Sequence, residues 1–111
     1  MKISTLQNLE KFTTLQSNYT DAPIRSGYTS DLLSDVMAYA EEDAVLITIQ
    51  AHKNTIAVAS LVGIRAIIIC NNRSAAADML DAAREEEIAI FQTPENQFKT
   101  SHLIATHLES E

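Results

Sequence analysis

The chain has 111 residues, 46% of them hydrophobic and 21% charged, which is the composition of one folded domain spanning residues 1–111 and excludes a disordered segment. Eight Lys and Arg against fifteen Asp and Glu leave a formal charge of −7; with its basic residues scattered, such a chain repels polyphosphate backbones, and nucleic acid is excluded as a partner. No basic region followed by an apolar run opens the sequence, and every apolar stretch falls well short of the roughly twenty residues of a bilayer span, so no membrane partner and a cytoplasmic address are expected.

Ser4 stands where it can cap a short helix running to about Phe12, with Ile3, Leu6 and Leu9 at three-residue spacing on one covering face. Phe12 to Ser17 is β-branched and apolar; Asn18 to Pro23 interrupts it, and Ile24 to Tyr28 makes a second extended segment. About six residues are too few for a parallel crossover, so these two strands are antiparallel or not neighbours. From Ser30 the pattern becomes regular. A helix over Asp31 to Ala40 is followed by a strand over Ala44 to Gln50, a helix over Asn54 to Val62 and a strand over Arg65 to Cys70. A helix over Ala75 to Glu87, with Met79, Leu80 and Ala83 inward, leads to a strand over Ile88 to Gln92 and a last helix over Glu95 to Leu108.

Strands alternating with helices of about ten residues predict an α/β fold: one layered domain with a mostly parallel sheet of about four to five strands covered by helices. The runs Val45 to Ile49 and Ala66 to Ile69 lack polar alternation, as strands buried on both faces do. Cys70, the one cysteine, ends such a strand and reads as a small core residue with no disulfide partner. Gly27 and Gly63, the two glycines, are expected to serve backbone geometry, Gly63 by closing a helix. The helix over Asn54 to Val62 has almost no polar stripe, which calls for burial between the sheet and neighbouring helices or in a subunit interface.

In a parallel α/β sheet, ligands sit beyond the carboxyl ends of the strands, where the following helices present free N–H groups. That edge carries Ser30 and Asp31 after one strand, His52, Lys53 and Asn54 after the next, and Arg73 after the third. His52, Lys53 and Arg73 bring positive or proton-exchanging groups to an acidic chain, and Asn54 can both donate and accept hydrogen bonds. This is the candidate anion site. The competing reading makes Ser30, Asp31, Asn54, Ser74 and Thr93 helix caps and leaves Lys53 solvated.

Asp31 and Asp35, at helical spacing, are either a carboxylate pair able to hold Mg²⁺ or acids favoured by a helix dipole in a first turn. Ser34 has no His at a defined distance, so no activated serine and no catalytic set is expected. His102 and His107 diverge by about 140° around a helix, which argues against a shared metal. Glu41-Glu42-Asp43 and Glu85-Glu86-Glu87 are solvated faces or a docking surface for a basic partner. No metal and no cofactor is expected.

Gly27-Tyr28-Thr29-Ser30-Asp31-Leu32-Leu33-Ser34-Asp35-Val36-Met37, followed after one strand by Thr48-Ile49-Gln50-Ala51-His52-Lys53-Asn54-Thr55-Ile56-Ala57-Val58-Ala59, resembles the DRTGG domain. The likeness runs over nearly the whole chain; the name-giving segment reads Ile24-Arg25-Ser26-Gly27-Tyr28 here. It implies a fold like the N-terminal domain of HPr kinase/phosphorylase-like proteins and a regulatory or binding role. No Gly-x-x-x-x-Gly-Lys-Ser/Thr loop is present, so phosphoryl transfer is not implied. The expected function is a non-catalytic, homodimeric regulatory module acting through a small ligand or a protein partner. One alternative is an adenine-nucleotide sensor, as the family's company with CBS domains implies. Another is a small phosphate-handling enzyme using Asp31, Asp35, His52 and Lys53.

Overall fold

Strands that must be buried on both faces belong at the centre of a sheet, and the two apolar runs lie there side by side. In the computed structural model, which describes residues 1–111, these are β3 (Ala44–Thr48) and β4 (Ala66–Ile69), every residue of each buried. They are flanked by β2 (Ser26–Thr29) and β5 (Ala89–Gln92), and β1 (Thr13–Gln16) lies outside β5. The order is β1-β5-β4-β3-β2; β2 to β5 run parallel, and β1 pairs antiparallel with β5. The expected α/β architecture with a mostly parallel sheet is the one observed. The first two strands occupy opposite edges, so the short segment between them never had to make a crossover.

The helices are α1 (Ile3–Gln7), α2 (Leu33–Tyr39), α3 (Lys53–Val62), α4 (Ala77–Glu86) and α5 (Gln97–Glu109). The chain steps in one direction from β2 to β5, so α2, α3 and α4 all cover the same face. There Val36, Ile56, Ala59, Met79 and Ala83 pack on Leu46, Ile67, Ile69 and Ile90. On the opposite face, α1 and α5 bring Ile3, Leu6 and Ile104 against Val45, Ile47, Ile68 and Phe91. Each such large apolar side chain stabilises the fold by about 1.5–3 kcal/mol relative to an exposed position. One edge of the sheet therefore collects the carboxyl ends of four parallel strands and the starts of α2, α3 and α4.

Three local expectations change. Helix α1 ends at Gln7 and its N-cap position is Lys2; Ser4 lies inside the helix, where its hydroxyl donates to Asp21 Oδ2 at 2.6 Å and its N–H to Asp21 Oδ1 at 3.0 Å. Gly63 closes α3 in the left-handed region at φ 93° as expected, but Gly27 has no positive φ. It is a strand residue beneath α5, where a Cβ would meet Ile104 Cγ2 at 3.6 Å. Finally, α3 is not enclosed on every side. Thr55, Ile56, Val58 and Ala59 are buried, while Ala57 and Leu61 face outward, Leu61 being 72% exposed.

Candidate anion site at the carboxyl edge of the sheet

Asp31 is the most heavily bonded side chain of this edge, and it is not a cap. Its Oδ1 accepts the Ile49 N–H at 2.9 Å and the Thr48 hydroxyl at 3.0 Å, and its Oδ2 accepts Gln97 Nε2 at 3.0 Å. The Asp31 carbonyl accepts Gln50 Nε2 at 2.9 Å. One residue in the β2–α2 connection thus ties together β3 and α5. Burial raises its carboxyl pKa, but the bonds from Ile49, Gln97 and Thr48 and the charge of Arg73 outweigh this and hold it below the usual value. Asp35, by contrast, accepts the Tyr28 hydroxyl at 2.7 Å. The two carboxylates serve different partners, so the metal pair is not realised; Asp35 does lie in the first turn of α2, where the helix dipole favours an acid, while Asp31 lies outside the helix.

The caps expected along this edge are also absent. Helices α2, α3 and α4 start without any side-chain cap, their N-cap positions being Leu32, His52 and Ala76. Ser30 Oγ instead accepts the Leu32 N–H at 3.2 Å in a tight turn before α2. Thr93 Oγ1 accepts the Glu95 N–H at 3.2 Å. Of the helices that start at this edge, only α5 is capped, by Asn96, whose side chain accepts the Lys99 N–H at 2.9 Å. The first N–H groups of α3 and α4 are therefore left to solvent or to a ligand.

These two uncapped helix starts border a depression made of two neighbouring clefts. Ile49, Ala51, His52, Arg73, Ser74 and Ala76 surround an open cleft of about 480 Å³, and His52, Lys53, Asn54, Ala76 and Asp78 surround a second of about 470 Å³. His52 and Ala76 belong to both. His52, Lys53, Asn54 and Arg73 are all exposed side chains here. Arg73 is aimed by its backbone: Asn71 and Asn72 take the left-handed conformation at φ 58° and 54°, which Asn tolerates better than most residues. Their N–H groups bond to Glu95 and Thr93 carbonyls at 2.9 and 2.8 Å, and the Arg73 carbonyl accepts Gln92 Nε2 at 2.8 Å. Of the six candidate residues, four line this depression, while Ser30 and Asp31 build the neighbouring turn.

A second hollow lies on the opposite face, of about 320 Å³, between α5 and the loop before β1. Phe12, Phe98 and Leu103 form its apolar part, and Lys11, Lys99 and His102 its basic part. No expectation from sequence named it, because its walls are far apart in the chain. The available signal was Phe98, which shares the outward face of α5 with His102 and is 83% exposed.

No helix is long and apolar enough to cross a membrane, and no three His, Cys, Asp or Glu side chains stand together as metal ligands. No family model matches the chain. No curated protein matches it either. Among solved structures, it is similar to the CBS and DRTGG regulatory region of a Clostridium perfringens pyrophosphatase, solved in complex with the activator diadenosine tetraphosphate. The TM-score is 0.66 at 14% identity, over 92% of this chain and 43% of that one. The likeness is one of fold, and it agrees with the DRTGG-like architecture that the sequence blocks implied. This chain spans less than half of that relative.

Proposed function

We propose that the chain is a non-catalytic regulatory module that binds a small phosphate-bearing ligand across the starts of α3 and α4. The observation that carries this reading is the pairing of two uncapped helix N-termini with His52, Lys53 and Arg73 around two clefts that share His52 and Ala76. Helix N–H groups and fixed positive side chains are the usual elements of phosphate recognition. Asp78, in the first turn of α4, borders the Lys53 end. It weakens the potential there, so the phosphate sits toward His52 and Arg73. Because the chain as a whole is acidic at −7, anions held without specific contacts are repelled.

Adenine nucleotides are the first ligands to try, since the structurally similar pyrophosphatase region was solved with a dinucleoside polyphosphate activator. AMP, ATP and diadenosine tetraphosphate at millimolar concentration are expected to raise the melting temperature. A ligand at about one hundred times its Kd stabilises by roughly 2.7 kcal/mol. Arg73→Gln and Lys53→Ala should abolish or reduce that shift, and Asp78→Asn should enlarge it. If no nucleotide moves the melt, the nucleotide reading is wrong and a protein partner becomes the reading to pursue.

The module is further read as a homodimer, joined through the face of α2 and α3. Met37, Tyr39 and Leu61 are 49%, 72% and 72% exposed on helices that pack side by side. Exposed apolar side chains that join into one patch mark contact surfaces, and the dimer reading takes these three as such a patch.

A further inference from the structure

We infer that the hollow between α5 and the loop before β1 is a second binding site, for a small aromatic or compact apolar molecule bearing one carboxylate. It is independent of the anion site proposed above and lies on the other face of the sheet. Its volume of about 320 Å³ falls within the roughly 300–1,000 Å³ of small-molecule sites.

Three features select the ligand. The first is a pair of aromatic walls. Phe12 is nearly buried and backed by Phe91, with ring centroids 6.5 Å apart, so it is a fixed floor. Phe98 lines the same hollow and is 83% exposed, a large ring available to cover a planar guest.

The second is local charge. Lys11 and Lys99 against Glu95 give the lining a net charge of +1, with His102 counted as neutral, in a chain whose total is −7. Lys99 reaches Glu95 at 3.7 Å, whereas Lys11 has no acidic side chain within ion-pair distance. Lys11 is therefore the free counter-charge for an incoming anion.

The third is a pair of hydroxyls in the floor. Thr93 and Thr100 are 0% and 2% exposed, and both line the hollow. Thr93 accepts the Glu95 N–H at 3.2 Å, and Thr100 accepts the Cys70 thiol at 3.5 Å, a thiol that burial keeps protonated. Each hydroxyl has its partner inside the chain, so the floor beneath the rings is polar and holds no orphaned group. A neutral aromatic would leave Lys11 unanswered, and a bare anion would leave the rings uncovered.

The test is a titration of the ¹⁵N-labelled full chain with phenylacetate, followed by amide shifts, with benzyl alcohol and acetate as the neutral and ring-free controls. Phenylacetate is expected to give saturating shifts at Lys11, Phe98, Lys99 and His102 with a Kd of about 1 mM, the scale for a ligand of roughly ten heavy atoms. The controls should bind at least about tenfold more weakly. Phe98→Ser and Lys11→Gln alter exposed side chains, so both should fold as before and each lose most of the binding. Linear, unsaturated shifts would overturn the inference. So would shifts confined to His52 and Arg73, or binding that survives unchanged in Phe98→Ser.

Discussion

The carboxylate of Asp31 and the side-chain amide of Gln97 meet at 3.0 Å across a sequence separation of 66 residues, joining the start of the α2 region to the first turn of α5. The same carboxylate holds Ile49 N–H and Thr48, so Asp31 is a three-way fastener of the sheet edge. Removing it leaves three donors without their acceptor. Asp31→Ala is therefore expected to destabilise by about 2 kcal/mol. That is a fall in melting temperature of roughly 8–10 °C for a domain of this size, read by calorimetry. A helix-cap role would have predicted about half as much, near 1 kcal/mol.

The same contacts set a pH dependence. The Asp31 carboxyl is held below its ordinary pKa of 3.8, so the folded state binds its proton less readily than the unfolded state. The stability it contributes is complete above about pH 4 to 5 and is lost as pH falls through the lower, folded value. Asp21, held down first by the Ser4 hydroxyl, acts with the same sign. Denaturant titrations between pH 6 and pH 2 should show stability declining below about pH 4, with a shallower decline in Asp31→Asn. An equal slope in the variant would show that Asp31 is not responsible.

The two glycines should respond oppositely to alanine. Gly63 sits at φ 93°, and a Cβ there would stand 2.8 Å from Glu42 Cγ. Gly63→Ala is expected to destabilise by about 1–2 kcal/mol through the left-handed backbone alone. At Gly27 an added Cβ finds ordinary contact with Ile104 at 3.6 Å and Val45 at 3.8 Å, and an edge strand favours Ala over Gly. Gly27→Ala should melt within a degree or two of the unmodified protein or above it, and a large loss there would mean that α5 cannot yield by even a methyl group.

Periodicity made the strands, the helices and their parallel order legible, because burial on both faces leaves uninterrupted apolar runs such as Ala66–Ile69 and one-sided burial leaves a helical stripe. Capping was not legible. Ser30, Asp31, Asn54 and Thr93 have the right residue types at the right places, yet none of them caps a helix. For Asp31, partners 17, 18 and 66 residues away outcompete the local helix N–H groups, and no local pattern encodes such distances. The strand-end rule placed His52, Lys53, Asn54 and Arg73 at the edge where they line the two clefts, because it depends only on strand direction. It had no way to find the Lys11 and Phe98 hollow, which arises from β1 pairing with β5 and α5 folding to the opposite face.

The proposed dimer makes a demand on a single exposed side chain. Burial of a charge inside α3 does not isolate the dimer: Ala59 is 0% exposed, so Ala59→Glu would unfold the core whatever the oligomeric state. Leu61 is the better position, 72% exposed on the outward face of the same helix. Leu61→Glu leaves the monomer's packing intact and places a carboxylate in the centre of the proposed contact, where an unpaired charge opposes association by several kcal/mol. The unmodified chain is expected to sediment as a dimer at concentrations on the order of tens of micromolar, and Leu61→Glu as a monomer with an equally cooperative melt. A monomeric unmodified chain would remove the dimer altogether, while a dimer that persists in Leu61→Glu would move the interface away from α3.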